Sequence, residues 1–346
     1  MKLLQELKFP IIQGPMAGGS CTPELIAGVS NAGGLGSLAA SLLSPDKMRE
    51  NARQVRALTD QPFLINLFVQ ETPVPSQDEV ARAVELLRPI WQERLGWSSL
   101  PLPAKWCEDF HAQFDTLIEL RPAAASFTFN ILTPGQVERL HDAGIAVIGT
   151  VTTVDEALAW EEIGADAVIA SGVEAGGHRG TFLGPQQEAT LSARELWPQV
   201  AAAVDMPVIA AGGIMTGVDI NDALAAGATA VQMGTAFLVC EESGINNAYK
   251  NRLIKAGPTP THLTRTFSGR YARGLENDFM RQMKAVEAQI PAYPVQNALT
   301  TGIRAAAAEL GDTELMSLWA SAEVKRARPM KVAKLMVQLA AEMRTE

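Results

Sequence analysis

Cysteine is scarce. Cys21, Cys107 and Cys240 are the only three in 346 residues, widely spaced and without a CxxC pair. An odd count at such spacing fits unpaired thiols in a reducing compartment better than a disulfide framework or a zinc site. No metal site is expected. Positive charge is also short: 29 Lys and Arg against 38 Asp and Glu leave a net charge of −9. That balance argues against nucleic acid or an anionic membrane as the main partner, while a local site for one small anion stays allowed. Long apolar runs are missing too. Charge interrupts Met1 to Lys8 too early for a signal peptide, and the most membrane-like stretch, Ala223 to Cys240, contains Gly227, Thr229, Gln232 and Gly234. A cytoplasmic protein with no membrane segment is expected. The oligomeric state stays open, and a homodimer is allowed.

What is present is apolar and periodic. Hydrophobic residues make up 47% of the chain, enough for a large core rather than disorder. Eight short runs lack polar alternation, as strands buried on both faces of a parallel sheet do: Pro10–Gln13, Gly36–Ala39, Phe63–Phe68, Ala124–Phe127, Ala146–Gly149, Ala167–Ala170, Pro207–Ala211 and Ala230–Met233. Helix starts lie between them. Thr22-Pro23, Ser44-Pro45 and Thr133-Pro134 each place a capping hydroxyl before a proline, and Thr153 precedes Asp155 and Glu156. Eight such units predict an α/β fold, a closed (β/α)8 TIM barrel over residues 1–240. Residues of about 70–122, with Trp91, Trp97 and Trp106, exceed one unit and predict a helical insertion after the third strand. Residues 241–346 predict a mostly helical extension broken at Gly257-Pro258, Pro291 and Pro294, which packs on the barrel and helps to cover the active site.

Active sites of such barrels form at the C-terminal ends of the strands, often with a phosphate site after the last two. Glycines stand at both places. Gly212-Gly213 follow the seventh run, and Gln232-Met233-Gly234-Thr235 end the eighth. Bare amides there, with the Thr235 hydroxyl, suit a phosphate dianion. Gly176-Gly177-His178 follows the sixth run. Paired glycines let backbone come close to a bound group, and histidine adds an acid or base near neutrality. Pro15 and Met16 leave the first strand in a turn able to lie against a flat ring, and Asn66 is polar within an apolar strand. Asn31 to Gly36 does not read as a dinucleotide loop, because its glycines follow a helix and precede a strand.

Taken together, Pro10–Met16, Asn31–Gly36, Asn66–Phe68, Glu174–Gly180, Ala211–Ile214, Gln232–Thr235 and Ser268–Gly274 resemble the nitronate monooxygenase family, formerly the 2-nitropropane dioxygenases, and its first class in particular. The resemblance runs from residue 9 to about 280. It implies non-covalent FMN and oxidation of alkyl nitronates, propionate-3-nitronate or nitroalkanes among them, by O2 to a carbonyl compound and nitrite. By position it implies FMN contacts from Asn66, Ser171, Gly176, Gly213 and Gln232 through Thr235, with Pro15, Met16, Gly177 and Gly212 beside them. His178 would be the catalytic residue, as base toward a neutral nitroalkane or as donor to the nitro oxygens. Thr128, Tyr293 and Asn297 fall on the substrate side. The first class commonly has histidine at the place of Thr128, glutamine at Ser171, tyrosine at Asn297 and lysine at Thr301. Arg270 and Arg273 either brace the extension through carboxylates or close over the ligand. The glycine motifs are also similar to those of flavin-dependent enoyl-acyl-carrier-protein reductases. An FMN-dependent NAD(P)H reductase acting on a quinone or enoyl thioester is therefore the second reading. A barrel that binds a phosphorylated ligand without turnover is the third.

Overall fold

The computed structural model describes residues 1–257 and 260–344. Pro258, half of the break expected at Gly257-Pro258, lies outside them, as do the last two residues of the extension.

All eight apolar runs are strands of one parallel sheet: β1 (Ile11–Gln13), β2 (Gly36–Ala39), β3 (Phe63–Phe68), β4 (Ala124–Thr128), β5 (Ala146–Val151), β6 (Ala167–Ser171), β8 (Val208–Ala211) and β9 (Ala230–Met233). Their order is β1-β9-β8-β6-β5-β4-β3-β2, and the ends meet through Leu35, whose N–H donates to Ile11 while its carbonyl accepts from Gln13 at 2.9 Å. The sheet is thus a closed barrel. Helices separate the strands: α2 (Pro23–Asn31), α3 (Pro45–Leu58), α6 (Pro134–Asp142), α7 (Val154–Glu162), α8 (Ala193–Ala203) and α9 (Gly217–Ala225). The hydroxyls of Thr22, Ser44, Thr133 and Thr153 accept from the amides three residues on, so the capping residues do what their type favours. Helix α1 (Lys2–Glu6) turns Leu4 into the apolar lower barrel among Ile12, Leu64, Ile148 and Ile209.

The expected insertion holds α4 (Gln77–Leu86), a π-helix over Pro89–Arg94 and α5 (Phe110–Leu120). Helix α5 packs on β3 and α3 and so belongs to the barrel ring. Helix α4 and the π-helix instead join a second core with the extension, which contains Trp91, Phe267, Phe279 and Leu299. The barrel ends in α10 (Thr235–Leu238), and the helices of the extension are α11 (Asn247–Ile254), α12 (Asp278–Met283), α13 (Val295–Leu310) and α14 (Val332–Glu342). After β9 the chain makes only the one-turn α10, too short to cover the sheet. Helix α14 lies between α2 and α9, with Val332, Leu335, Met336 and Leu339 in the barrel's outer core. Gly28 and Gly217 admit it: a Cβ on Gly28 would come within 2.5 Å of Val332, and one on Gly217 within 2.6 Å of the Leu339 carbonyl. The barrel's helical ring is therefore completed by the far end of the chain.

A small antiparallel sheet was not anticipated by the apolar runs. Strand β7 (Gly177–His178) pairs with β11 (Ala272–Leu275), which pairs with β10 (Thr261–Thr264). The glycine-histidine segment expected as a loop is held in extended form by the extension.

Candidate active site

Strand alternation builds the site. Residues facing the barrel axis are apolar low down and mostly polar at the C-terminal ends: Leu64 gives way to Asn66, Ala124 to Ser126 and Thr128, Ile148 to Thr150, Ile169 to Ser171 and Ala230 to Gln232, with Phe68 the apolar exception. Above them opens a cavity of about 530 Å3. Every candidate residue lines it: Pro15, Met16, Asn66, Thr128, Ser171, Gly176, Gly177, His178, Gly212, Gly213, Gln232, Met233, Gly234, Thr235, Tyr293 and Asn297. Asn66 has its partners within the protein. Its Nδ2 donates to Ser126 at 3.0 Å, and its Oδ1 accepts from Ser41 at 3.3 Å.

One wall gathers backbone amides that have no acceptor among the described residues. Gly212 and Gly213 have φ of +115° and +73°, a conformation that residues with a Cβ resist. Among the described residues, the N–H groups of Gly212, Gly213, Gly234 and Thr235 donate to no protein acceptor. A Cβ on Gly234 would lie 3.9 Å from Met16, in ordinary contact. Thr235 accepts from the Ser321 amide at 2.9 Å, which leaves its own proton free. Buried polar atoms without partners cluster here too, Oε1 of Gln232 and Oγ of Ser321. A buried group left unpaired costs about 1–3 kcal/mol, so this surface is shaped for a bound group. The donor set fits the phosphate and polar ring edge of FMN: amides for the dianion, an amide side chain for the ring.

His178 is half-buried on the opposite side, walled by Phe68, Phe129, Tyr293 and Trp319 with ring centres 5.5–6.4 Å away. Its Nε2 lies 2.8 Å from Oγ of Ser268. That hydroxyl has a single proton, and the Arg270 carbonyl, which can only accept, lies 3.0 Å from it. With the Ser268 proton on that carbonyl, the tautomer that completes the pair carries its hydrogen on Nε2 and keeps the lone pair on Nδ1. Nδ1 meets no protein donor among the described residues and is not buried, so it opens onto the cavity. Burial, and then the charges of Arg270 and Arg304, push the imidazole down to about 3. The ring is neutral across the physiological range.

Four arginines lie around this mouth, and Glu156 and Glu174 act on three of them through charge without a hydrogen bond. Arg179, Arg270, Arg273 and Arg304 bond only to carbonyl, hydroxyl and amide oxygens. Arg270 donates to the carbonyls of Arg179 and Thr181 and covers Phe129, while Arg273 donates to the carbonyls of Val173 and Thr261. Both brace the extension, but through carbonyls and not through the carboxylates expected. Arg304 lines the cavity and holds Asn297 at 2.9 Å. Among the described residues no Asp or Glu lines the cavity, in a chain that holds 38 of them. Ser268, Arg304, Trp319 and Ser321 went unseen as site residues because they reach the barrel mouth through the extension's path. The signal available was the SGRYARG motif, which begins at Ser268.

The nitronate monooxygenase family matches residues 1–342. A probable nitronate monooxygenase of Staphylococcus haemolyticus (strain JCSC1435) is 41% identical over 98% of this chain and 95% of its own. The crystal structure of nitroalkane oxidase from Streptomyces ansochromogenes superposes with a TM-score of 0.90 at 40% identity, covering 99% of this chain and 98% of that one. FabK from Thermotoga maritima is more distant, with a TM-score of 0.75 at 29% identity over 99% of this chain and 94% of its own. With a neutral imidazole and four acceptor-free amides at one barrel mouth, and a family match and 40% identical relatives along its whole length, this oxidoreductase belongs to the nitronate monooxygenase family.

Proposed function

We propose that the chain is an FMN-dependent nitronate monooxygenase, converting alkyl nitronates and O2 to a carbonyl compound and nitrite. The observation that carries this reading is the pairing of four unpartnered amides with a carboxylate-free cavity that opens on a neutral imidazole. FMN, held by the amides of Gly212, Gly213, Gly234 and Thr235 and by Gln232, supplies the electron acceptor and the route to O2.

The protein's own work is electrostatic and positional. Arg304, which lines the cavity without a carboxylate partner among the described residues, makes it favourable to an anion before it arrives, and a nitronate is an anion. Phe68, Phe129, Tyr293 and Trp319 keep water from the reacting carbon. Toward a neutral nitroalkane, Nδ1 of His178 accepts the α-proton, with Ser268 fixing the tautomer that makes this atom the base. Burial keeps the Tyr293 phenol protonated, so it is a donor to the nitro oxygens.

The test is a visible spectrum of the purified chain followed by anaerobic mixing. Bleaching of bound flavin by a nitronate and not by NADH supports the reading. Bleaching by NADH alone supports a reductase instead, and a colourless chain that binds no flavin refutes both.

A further inference from the structure

Ser321 lies in the C-terminal segment, far in sequence from any barrel strand, yet it reaches the wall of acceptor-free amides. Its side chain is 4% exposed, lines the cavity and has an Oγ without a partner. Its backbone is pinned on two sides. The Ser321 N–H donates to Oγ1 of Thr235, at the start of α10, at 2.9 Å. The Ala320–Ser321 peptide lies so close to Gly176 that a Cβ there would come within 2.5 Å of it. Two flanking bonds, Ala320 N–H to Arg273 and Ala322 N–H to Glu174, hold the segment across the mouth. A hydroxyl so placed, buried and unbonded, sits beside amides that are likewise unbonded.

We infer that Ser321 donates a hydrogen bond to the phosphate of the bound flavin, closing the nest of Gly212, Gly213, Gly234 and Thr235 from the extension side. This rests on the FMN reading above and extends it to a segment outside the barrel. The hydroxyl proton goes to the phosphate oxygen, and Thr235, whose Oγ1 accepts the Ser321 amide, points its own proton the same way. The barrel and the C-terminal segment thus share one ligand.

The experiment is a titration of the full-length chain, stripped of flavin, with FMN and separately with riboflavin, which has the same ring and no phosphate. Flavin fluorescence reads the Kd. Losing one hydrogen bond to a charged oxygen weakens FMN binding by roughly tenfold or more. Ser321→Ala should therefore raise the FMN Kd by that factor, leave the riboflavin Kd within about twofold, and be largely restored in Ser321→Thr. An unchanged FMN Kd, or equal weakening of both flavins, overturns the inference while the FMN reading stands. A wild-type chain that binds neither flavin overturns the FMN reading, and the inference falls with it.

Discussion

The pH dependence of proton abstraction by His178 follows directly from its surroundings. An unperturbed imidazole titrates near 6.5, so at pH 5 only about one in thirty would remain a base. Burial first, and then Arg270 and Arg304, lower this one to about 3. The sign is clear: a depressed value keeps the proton acceptor present as pH falls, and the base is lost only on approach to 3. With a neutral nitroalkane, assayed by stopped flow below the substrate's own ionisation, log kcat/KM should be flat from pH 7 to 5. An unshifted histidine would lose roughly twenty-fivefold over that span. His178→Asn should lower turnover of the neutral nitroalkane by about 10²–10⁴-fold and spare most activity on the preformed nitronate. Ser268→Ala should fall between them, because loss of the acceptor on Nε2 frees the ring to take the other tautomer. A limb near pH 6.5, or equal losses on both substrates in His178→Asn, would refute the base role.

Three further outcomes are expected. Arg304→Met removes the cavity's only permanently charged lining residue among those described and should raise KM for nitronates about tenfold, an effect that shrinks at high salt in the wild type. Gly176→Ala drives a Cβ to 2.5 Å from the Ala320 carbonyl carbon; thermal melts should show about 1–3 kcal/mol of destabilisation, with flavin lost on gel filtration. Leu339→Ala, fully buried on α14, should cost about 2–5 kcal/mol in urea unfolding although it lies far from the cavity.

The barrel was legible because each strand is a short apolar run with a capped helix behind it, and those signals are local. The cavity-lining glycines were legible for the same reason: they end strands, and a barrel puts strand ends in one place. What could not be read was contact between segments distant in the chain. Gly177 and His178 form a strand only because Ala272 and Arg273 pair with them. Ser268 meets His178 across 90 residues, and Ser321 meets Thr235 across 86. The π-helix at Pro89–Arg94 and the docking of α14 likewise depend on what the rest of the molecule presents to them. Arg270 and Arg273 look in sequence like partners for acids, but the neighbours that fold against them offer backbone carbonyls.

The position of α14 has a consequence for synthesis. On the ribosome, α2 and α9 emerge long before the helix that covers the gap between them, so their facing apolar flanks stay wet until residue 339 has cleared the exit tunnel. A nascent chain halted anywhere earlier would present that seam to chaperones, and ribosomes stalled before and after it should differ in how much chaperone they carry.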